Sequence, residues 1–411
     1  MALANPGRVA AARVLVAVDE GIHAEDALAR GAPAQGSDRG LAWFLVLGVL
    51  RSRGQVDAAI RPHLSRPLQA LDPEVRAILR LGAYEKLFSR TAPHAVVHQA
   101  VEVAHAMGVS RAQGVVNAVL RKVETPRDLS QAEAWNHPEW LVERWVSRYG
   151  VEATEAWCAQ NTQVPPLTIV AADDAIESHF QNTKCSLTPV ELFGKVLPRV
   201  WRVEGHGGPI PELPGFKEGA FWVQDPASVA VADLVGAKPG WEVLDACAAP
   251  GGKTFRLLSN GAKVFSVDRD ARRMELLADS AERLKVQPRM RVHDWAHGRW
   301  SEDRFDAVLV DAPCTALGTL RRHPEVRWRR FPEDIAEVRK HQLAVLTTTS
   351  GHVRDGGVLV YAVCSPEPEE GPELVRQFLS ENPEFSLDQE WCTAPPTGDE
   401  DAFFGARLIR K

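Results

Sequence analysis

The sequence predicts a multidomain chain: an all-α helical bundle, a small α+β lead-in, and an α/β domain built on a parallel sheet. Three observations carry this. Apolar residues recur at helical spacing through residues 1–125, with no β-type alternation of any length. From residue 241 onward, short apolar strands alternate with helical stretches, the pattern of a parallel sheet covered on both faces. A length of 411 residues suits two or three domains at roughly 100–200 residues each.

In chain order, helical spacing marks 5–18, 38–51, 72–88, 93–107 and 110–123. Ser37, Asp72 and Ser110 are candidate N-caps, and Pro93 suits a first helical turn. The polar run 124–137 lacks an apolar face, so a linker is placed at 126–137. The lead-in, 138–235, should open with short helices near 138–149 and 151–160. A strand-like run follows at 165–172, and the second half of 219–235 should be helical. The α/β domain, 236–411, has strand-like runs at 241–246, 263–268, 305–311 and 357–363, with RMRVHD a further strand. Helices are expected at 255–260, 271–284 and 333–350, and FSLDQEW and FFGARLIRK read as two last strands.

Composition excludes several classes. Apolar residues are 45% and charged residues 25%, ordinary for a chain that buries a core. The longest apolar run, 41–50, is well short of the ~18 residues a membrane span needs. Charged residues interrupt the N-terminus, so no signal peptide or membrane partner is expected, and a cytoplasmic location is. None of the six cysteines forms a Cys-x-x-Cys pair; thiols are expected and no metal site. Net charge is −6, yet residues 1–125 hold 15 Lys+Arg against 11 Asp+Glu, a surplus of four. An acidic total argues for a defined partner over indiscriminate nucleic-acid binding.

The stretch 245–254, DACAAPGGKT, ends like a phosphate loop. A Walker loop would need glycine at 247, where Cys247 stands, and the dinucleotide pattern of spaced glycines is also absent. The context still suits a nucleotide-like ligand: a strand ends at Asp245, a turn of small residues follows (Ala248, Ala249, Pro250, Gly251, Gly252), and a helix begins near Lys253. Asp268 ends the second strand, where an acid commonly binds ribose hydroxyls. Asp294 follows the third strand, Asp311 ends the fourth and Cys364 follows the fifth. Any one of these acids alone would read as a solvated loop residue. Taken together at successive strand tips, they read as a site. Carboxylates repel a triphosphate but suit an adenosine carrying a sulfonium, so S-adenosylmethionine (SAM) fits better than ATP.

Cys314 and Cys364 follow strands expected to be neighbours, so both thiols should face one pocket. Carbon 5 of a pyrimidine is too weak a nucleophile to take a methyl group unaided. A thiolate adding to carbon 6 activates it, and a second thiol can assist release.

These strings carry a resemblance. DACAAPGGKT, VDRD, DAPCTALGTLRRHPEVRW and YAVCSPEPEEG resemble the successive motifs of the NOL/NOP/Sun family of RNA cytosine-5 methyltransferases. PHAVVHQAVEVA, GVVNAVLRK, GAFWVQDPASVAVADLV and DAFFGARLIRK resemble its RsmB (Fmu/Sun) branch, which acts on small-subunit rRNA. The resemblance implies a NusB-like RNA-binding bundle followed by a Rossmann-like SAM-dependent methyltransferase domain. It implies Cys364 as nucleophile and Cys314 as the thiol aiding release, although DNA cytosine-5 methyltransferases use the Pro-Cys cysteine for attack and the residues alone leave that assignment open. It implies that Cys247 through Lys253 line the SAM site, with Arg273 beside them. Asp268 would hold the ribose, Asp294 the adenine side, and Asp311 would face both SAM and cytosine, with Lys253 orienting Asp311. This chain departs from the family in Thr315, Gly371 and Ala402, where Ser, Asn and Gly are usual.

The segment LRRHPEVRWRR, 320–330, holds five arginines and a tryptophan directly after Cys314 and is expected to contact RNA. The target cytosine should be unpaired or flipped. The expected partner is 16S rRNA or a small-subunit assembly intermediate, met by a monomer. The alternatives are the same chemistry on tRNA or another RNA, and a non-enzymatic RNA-binding protein with an inert methyltransferase fold.

Overall fold

The computed structural model describes residues 4–34 and 36–411, which cluster into two compact units. One comprises residues up to 164 together with 320–330; the other comprises 165–319 and 331–411.

The first unit is helical. Helices Pro6–Asp19, Ser37–Arg51, Pro73–Phe88, Pro93–Ala106 and Gln113–Lys122 answer the five apolar stripes. Helices Ala24–Gly31 and Arg53–Ile60 were not read from the sequence; each is only eight residues long. Ser37 lies inside its helix behind Gly36, Asp72 sits at an N-cap without a side-chain capping bond, and Ser110 opens a 3-10 turn. The stripes meet in one apolar core including Leu15, Leu45, Ile78, Val103 and Leu120. Arg80, buried among them, is held bidentately by Asp57 at 2.8 and 2.9 Å and by Asp19 at 3.1 Å. Such a pairing is what makes a buried guanidinium tolerable.

Helices Glu139–Tyr149 and Val151–Asn161 form as expected, but they pack with this unit and not with the α+β segment that follows. Trp145 and Trp157 stack at 3.9 Å between ring centroids, both essentially buried, and Asn161 Nδ2 lies 3.3 Å from His137 Nε2. A short helix, Gln131–Ala134, stands inside the expected linker, closed by a reciprocal capping box between Ser130 and Glu133.

The second unit carries two sheets. The smaller comprises β1 (Leu167–Ala171), β2 (Ser186–Leu192), β3 (Lys195–Glu204) and β4 (Phe221–Val223), antiparallel in the order β2-β3-β1-β4. The larger comprises β5 (Glu242–Asp245), β6 (Lys263–Asp268), β7 (Arg289–Val292), β8 (Phe305–Asp311), β9 (Val353–Val363), β10 (Phe385–Cys392) and β11 (Phe404–Arg410). Its order is β10-β11-β9-β8-β5-β6-β7. β5 to β9 run parallel, while β11 pairs antiparallel with β9 and β10.

Period-2 alternation distributes each central strand between two cores. Val308, Val310, Leu359 and Tyr361 enter one; Ala307, Leu309, Val358 and Val360 enter the other. Both faces are therefore covered, which is why these strands read as continuous apolar runs. The chain winds outward from β5 through β6 and β7, then returns to β8 beside β5. That reversal leaves a crevice beyond the carboxyl ends of β5 and β8, the place where open α/β sheets bind ligands. Among the described residues, no helix is long and apolar enough to cross a membrane.

Candidate active site

Asp245 ends β5 and is fully buried. Its Oδ2 accepts from the Thr254 hydroxyl at 2.7 Å, and that hydroxyl lies 2.9 Å from Ser266 Oγ, while Oδ1 has no partner. Burial, opposed by the Thr254 bond, pushes the carboxyl up to about 7. After Asp245 the backbone turns through a cis Ala249–Pro250 bond to Gly251, whose φ of +116° lies in the left-handed region. A Cβ there would sit 2.7 Å from the Phe255 ring, so glycine is required on both conformational and steric grounds. Helix Gly252–Ser259 then begins, with no side chain capping its first amides.

Asp268, at the end of β6, accepts from the Ala249 amide at 3.1 Å and from the Asp270 amide at 3.0 Å. Arg273 closes the same turn by donating to the Ala249 carbonyl at 2.6 Å. Cys247 lies within the loop; burial, then the charges of Asp268, Asp311 and Asp245, push its thiol well up. Ala248 and Ala249 are buried and Pro250 is exposed.

Lys253 does not extend as a phosphate-loop lysine would. Its Nζ donates to Asp311 Oδ2 at 2.6 Å and lies 5.3 Å over the Phe403 ring. Burial works against the ammonium, but Asp311, Cys364 and Asp245 outweigh it and raise its pKa. The helix that follows the β5 loop and the tip of β8 are thereby joined by one ion pair.

Cys314 and Cys364, fifty positions apart, come together with their sulfurs at 3.2 Å. Sharing a hydrogen with Cys364, then burial, then the charges of Cys364 and Glu370 push the Cys314 thiol well up. The loops bearing them also touch through backbone: the Gly318 amide donates to the Cys364 carbonyl at 3.0 Å. Any Cβ at Gly318 would lie 1.9 Å from the Ala402 carbonyl oxygen.

Asp294 stands apart from this group. It caps the turn Trp295–His297 by accepting from the Ala296 amide at 3.0 Å, and that bond holds its carboxyl below the usual range. Its neighbour Trp295 reaches the loop, donating to the Ala246 carbonyl at 2.6 Å.

The arginine-rich segment corrects an expectation. Residues 320–330 form a strap packed within the helical unit, and none is exposed. Fully buried Arg327 donates to the Asn136, Asn161 and Leu320 carbonyls at 3.2, 2.9 and 2.8 Å. Arg329 donates to the Val18 carbonyl at 2.6 Å and to that of Ile22. Trp328 donates to the Leu50 carbonyl at 2.9 Å, with Arg53 5.4 Å over its ring. These side chains answer the open carbonyls at helix ends, so they are spent on architecture.

Sequence reading passed over Thr254, Ser266 and Glu370. Thr254 carried a signal, standing inside the loop string itself. Glu370 carried only its place in an acidic pair. Among the described residues, no group of three or more His, Cys, Asp or Glu could hold a metal.

Comparison with known proteins gives three matching family models. Residues 5–125 match the NusB family, 137–170 the ferredoxin-like domain of RsmF/B-like methyltransferases, and 234–408 the 16S rRNA methyltransferase RsmB/F model. The chain is 33% identical to the ribosomal RNA small subunit methyltransferase B of Cronobacter sakazakii over 395 residues, 91% of each chain. It is likewise 33% identical to the Citrobacter koseri protein of that name, over 91% of each. Among solved structures, that of PH0851 covers 99% of both chains with a TM-score of 0.85 at 23% identity. A methyltransferase homologue from Pyrococcus horikoshii covers 68% of this chain and 97% of its own, with a TM-score of 0.59 at 21% identity. At these identities the two structures speak to the fold.

Proposed function

Since the chain belongs to the RsmB/F family of 16S rRNA methyltransferases, we propose that it methylates carbon 5 of a cytosine in small-subunit rRNA through a covalent cysteine adduct. The single observation that carries this reading is the pair of sulfurs 3.2 Å apart at adjacent strand tips, beside the Lys253–Asp311 ion pair.

The residues present fit SAM. The loop after β5 brings small side chains and open amides close to a ligand. Asp268 lies at the ribose position, with Cys247 through Lys253 and Arg273 shaping the cradle and Asp294 on the adenine side. The unpartnered Asp245 Oδ1 and the carboxylates around it favour a cationic centre over a triphosphate. When bound, SAM supplies an electrophilic methyl group.

Cys364 is the nucleophile in this reading. Its sulfur forms a bond to carbon 6, and the ring becomes an enamine that is nucleophilic at carbon 5. Lys253 stands at this site as an ammonium, its Nζ 2.6 Å from Asp311 Oδ2. Asp311 faces the base, fixed by Lys253. After transfer a base takes the carbon 5 proton, the ring re-forms its double bond, and the sulfur of Cys364 leaves. Cys314, held protonated, lies where it can give a proton to the departing sulfur.

The helical unit is proposed as the rRNA-docking module. In place of the strap, a cleft of about 660 Å³ supports this, with His94, His98, Asn117 and Arg121 on its walls. His94 and His98 lie one helical turn apart, as do Asn117 and Arg121, so two helices each present a polar pair. The test is incubation with tritiated SAM and unmethylated small-subunit rRNA, followed by mapping of the label. Label in 5-methylcytosine supports the reading; label at a ring nitrogen or a ribose hydroxyl, or on tRNA alone, refutes it.

A further inference from the structure

Two loops that are fifty residues apart in sequence hold their sulfurs in contact, and one buried carboxylate spans them. Glu370 is fully buried. Its Oε2 accepts from the Thr315 backbone amide at 2.9 Å and from Gln342 Nε2 at 2.9 Å. Its Oε1 accepts from the Thr315 hydroxyl at 2.5 Å and from the Ser365 hydroxyl. Thr315 directly follows Cys314, and Ser365 directly follows Cys364. The two hydroxyl oxygens are themselves 3.1 Å apart.

Four donors on one carboxylate fill the lone-pair sites it offers. The frame around it is equally fixed. Gln342, from helix Pro332–Ser350, also donates to the Pro313 carbonyl at 3.1 Å, and Tyr361 of β9 donates to the Glu370 carbonyl at 2.7 Å. Burial pushes the carboxyl up, and the Ser365, Thr315 and Gln342 bonds pull against that. A charge placed here also opposes ionisation of Cys314.

We propose that Glu370 is a positioning residue of the reaction: its carboxylate clamps the Cys314 loop to the Cys364 loop and so fixes the separation of the two thiols. This rests on the function proposed above, in which both thiols serve one base. A carboxyl that merely filled space in the core would not need three of its four bonds to come from the residues that follow the two cysteines.

The thiol separation can be read without RNA or SAM. Diamide, a diazene, oxidises two neighbouring thiols to a disulfide and is itself reduced to the hydrazine. The rate of Cys314–Cys364 disulfide formation, followed by peptide mass spectrometry, thus reports how often the sulfurs meet. Glu370→Ala is expected to slow this step at least about 10-fold, because held proximity is what makes it fast. It is expected to lower kcat for methyl transfer by a similar factor, with KM for RNA within about twofold. Glu370→Gln should recover most of both rates. Its oxygen accepts, its amide donates, and the two hydroxyls can reverse. If Glu370→Ala does not fold, Ser365→Ala and Thr315→Val replace it, each expected to slow disulfide formation about 3-fold or more. Folded variants that form the disulfide at the wild-type rate overturn the proposal. Slowed disulfide formation in a protein that methylates no cytosine would uphold the clamp and refute the function.

Discussion

Residues 311–319 and 320–330 are consecutive in the chain, yet the first packs in the sheet unit and the second in the helical unit. In the first, Asp311 meets Lys253 and Cys314 meets Cys364, so side chains meet side chains from the helix after β5 and from the tip of β9. In the second, Arg327, Trp328 and Arg329 meet backbone carbonyls. Charge and aromatic content look alike on paper in a nucleic-acid contact and in a strap that closes helix ends. What separates them is whether water can reach the polar atoms. Burial penalises a charge in both places, raising Asp245 to about 7 and lowering Arg327 to about 9. Only the strand-tip charge therefore titrates near neutrality.

The largest expected effect falls on the strand tips. Cys364→Ala should lower methyl transfer by at least about 10⁴-fold, with the unfolding midpoint unchanged to within a degree or two. Residual transfer near the wild-type rate, by filter assay, would move the nucleophile elsewhere. Cys314→Ala should still form the adduct but release it poorly, leaving a protein–RNA band on denaturing gels. No band would reverse the two cysteine roles. In the strap, Arg327→Ala should act on stability instead, leaving three carbonyls without their donor at a cost of about 2–5 kcal/mol. Urea titration measures it, and RNA affinity below the transition should hold. Lost RNA affinity at unchanged stability would erase the distinction drawn here.

Two smaller effects sharpen it. Asp245 has a folded pKa of about 7 against an ordinary 3.8, so the native state holds its proton more tightly. Its contribution is fully present below pH 3.8 and is lost as pH rises through about 7. Asp245→Asn should therefore gain stability relative to wild type between pH 5 and pH 8, checked by denaturation at those two values. Arg121→Glu, in the exposed cleft of the helical unit, should raise KM for rRNA several-fold and leave kcat unchanged, with the salt slope of binding falling by about one.

Much of the sheet unit was legible because its signals are local. Apolar runs ending in Asp245, Asp268 and Asp311 announce strands and their tips within a few residues, and small residues at 248–252 announce a turn. Strands β2 and β3 escaped because each buries only two residues and they carry Pro189 and Pro198, so no sustained alternation marks them. Glu370 escaped because nothing at 370 signals that its donors stand at 315, 342 and 365. The strap escaped for the same reason: apart from that of Leu320, the carbonyls that claim Arg327 and Arg329 lie 166 to 311 residues away in sequence. Packing at such separations leaves no periodic trace.

The helical unit is thus assembled from two pieces of polypeptide, and this bears on how it can be inherited or cut out. A gene fragment stopping at codon 164 would encode a body whose Val18, Ile22, Leu50, Asn136 and Asn161 carbonyls have lost the groups that answer them. Adding back an eleven-residue peptide of sequence 320–330 should restore it by complementation. Because that insert also continues the loop bearing Cys314, length changes there are constrained from both ends.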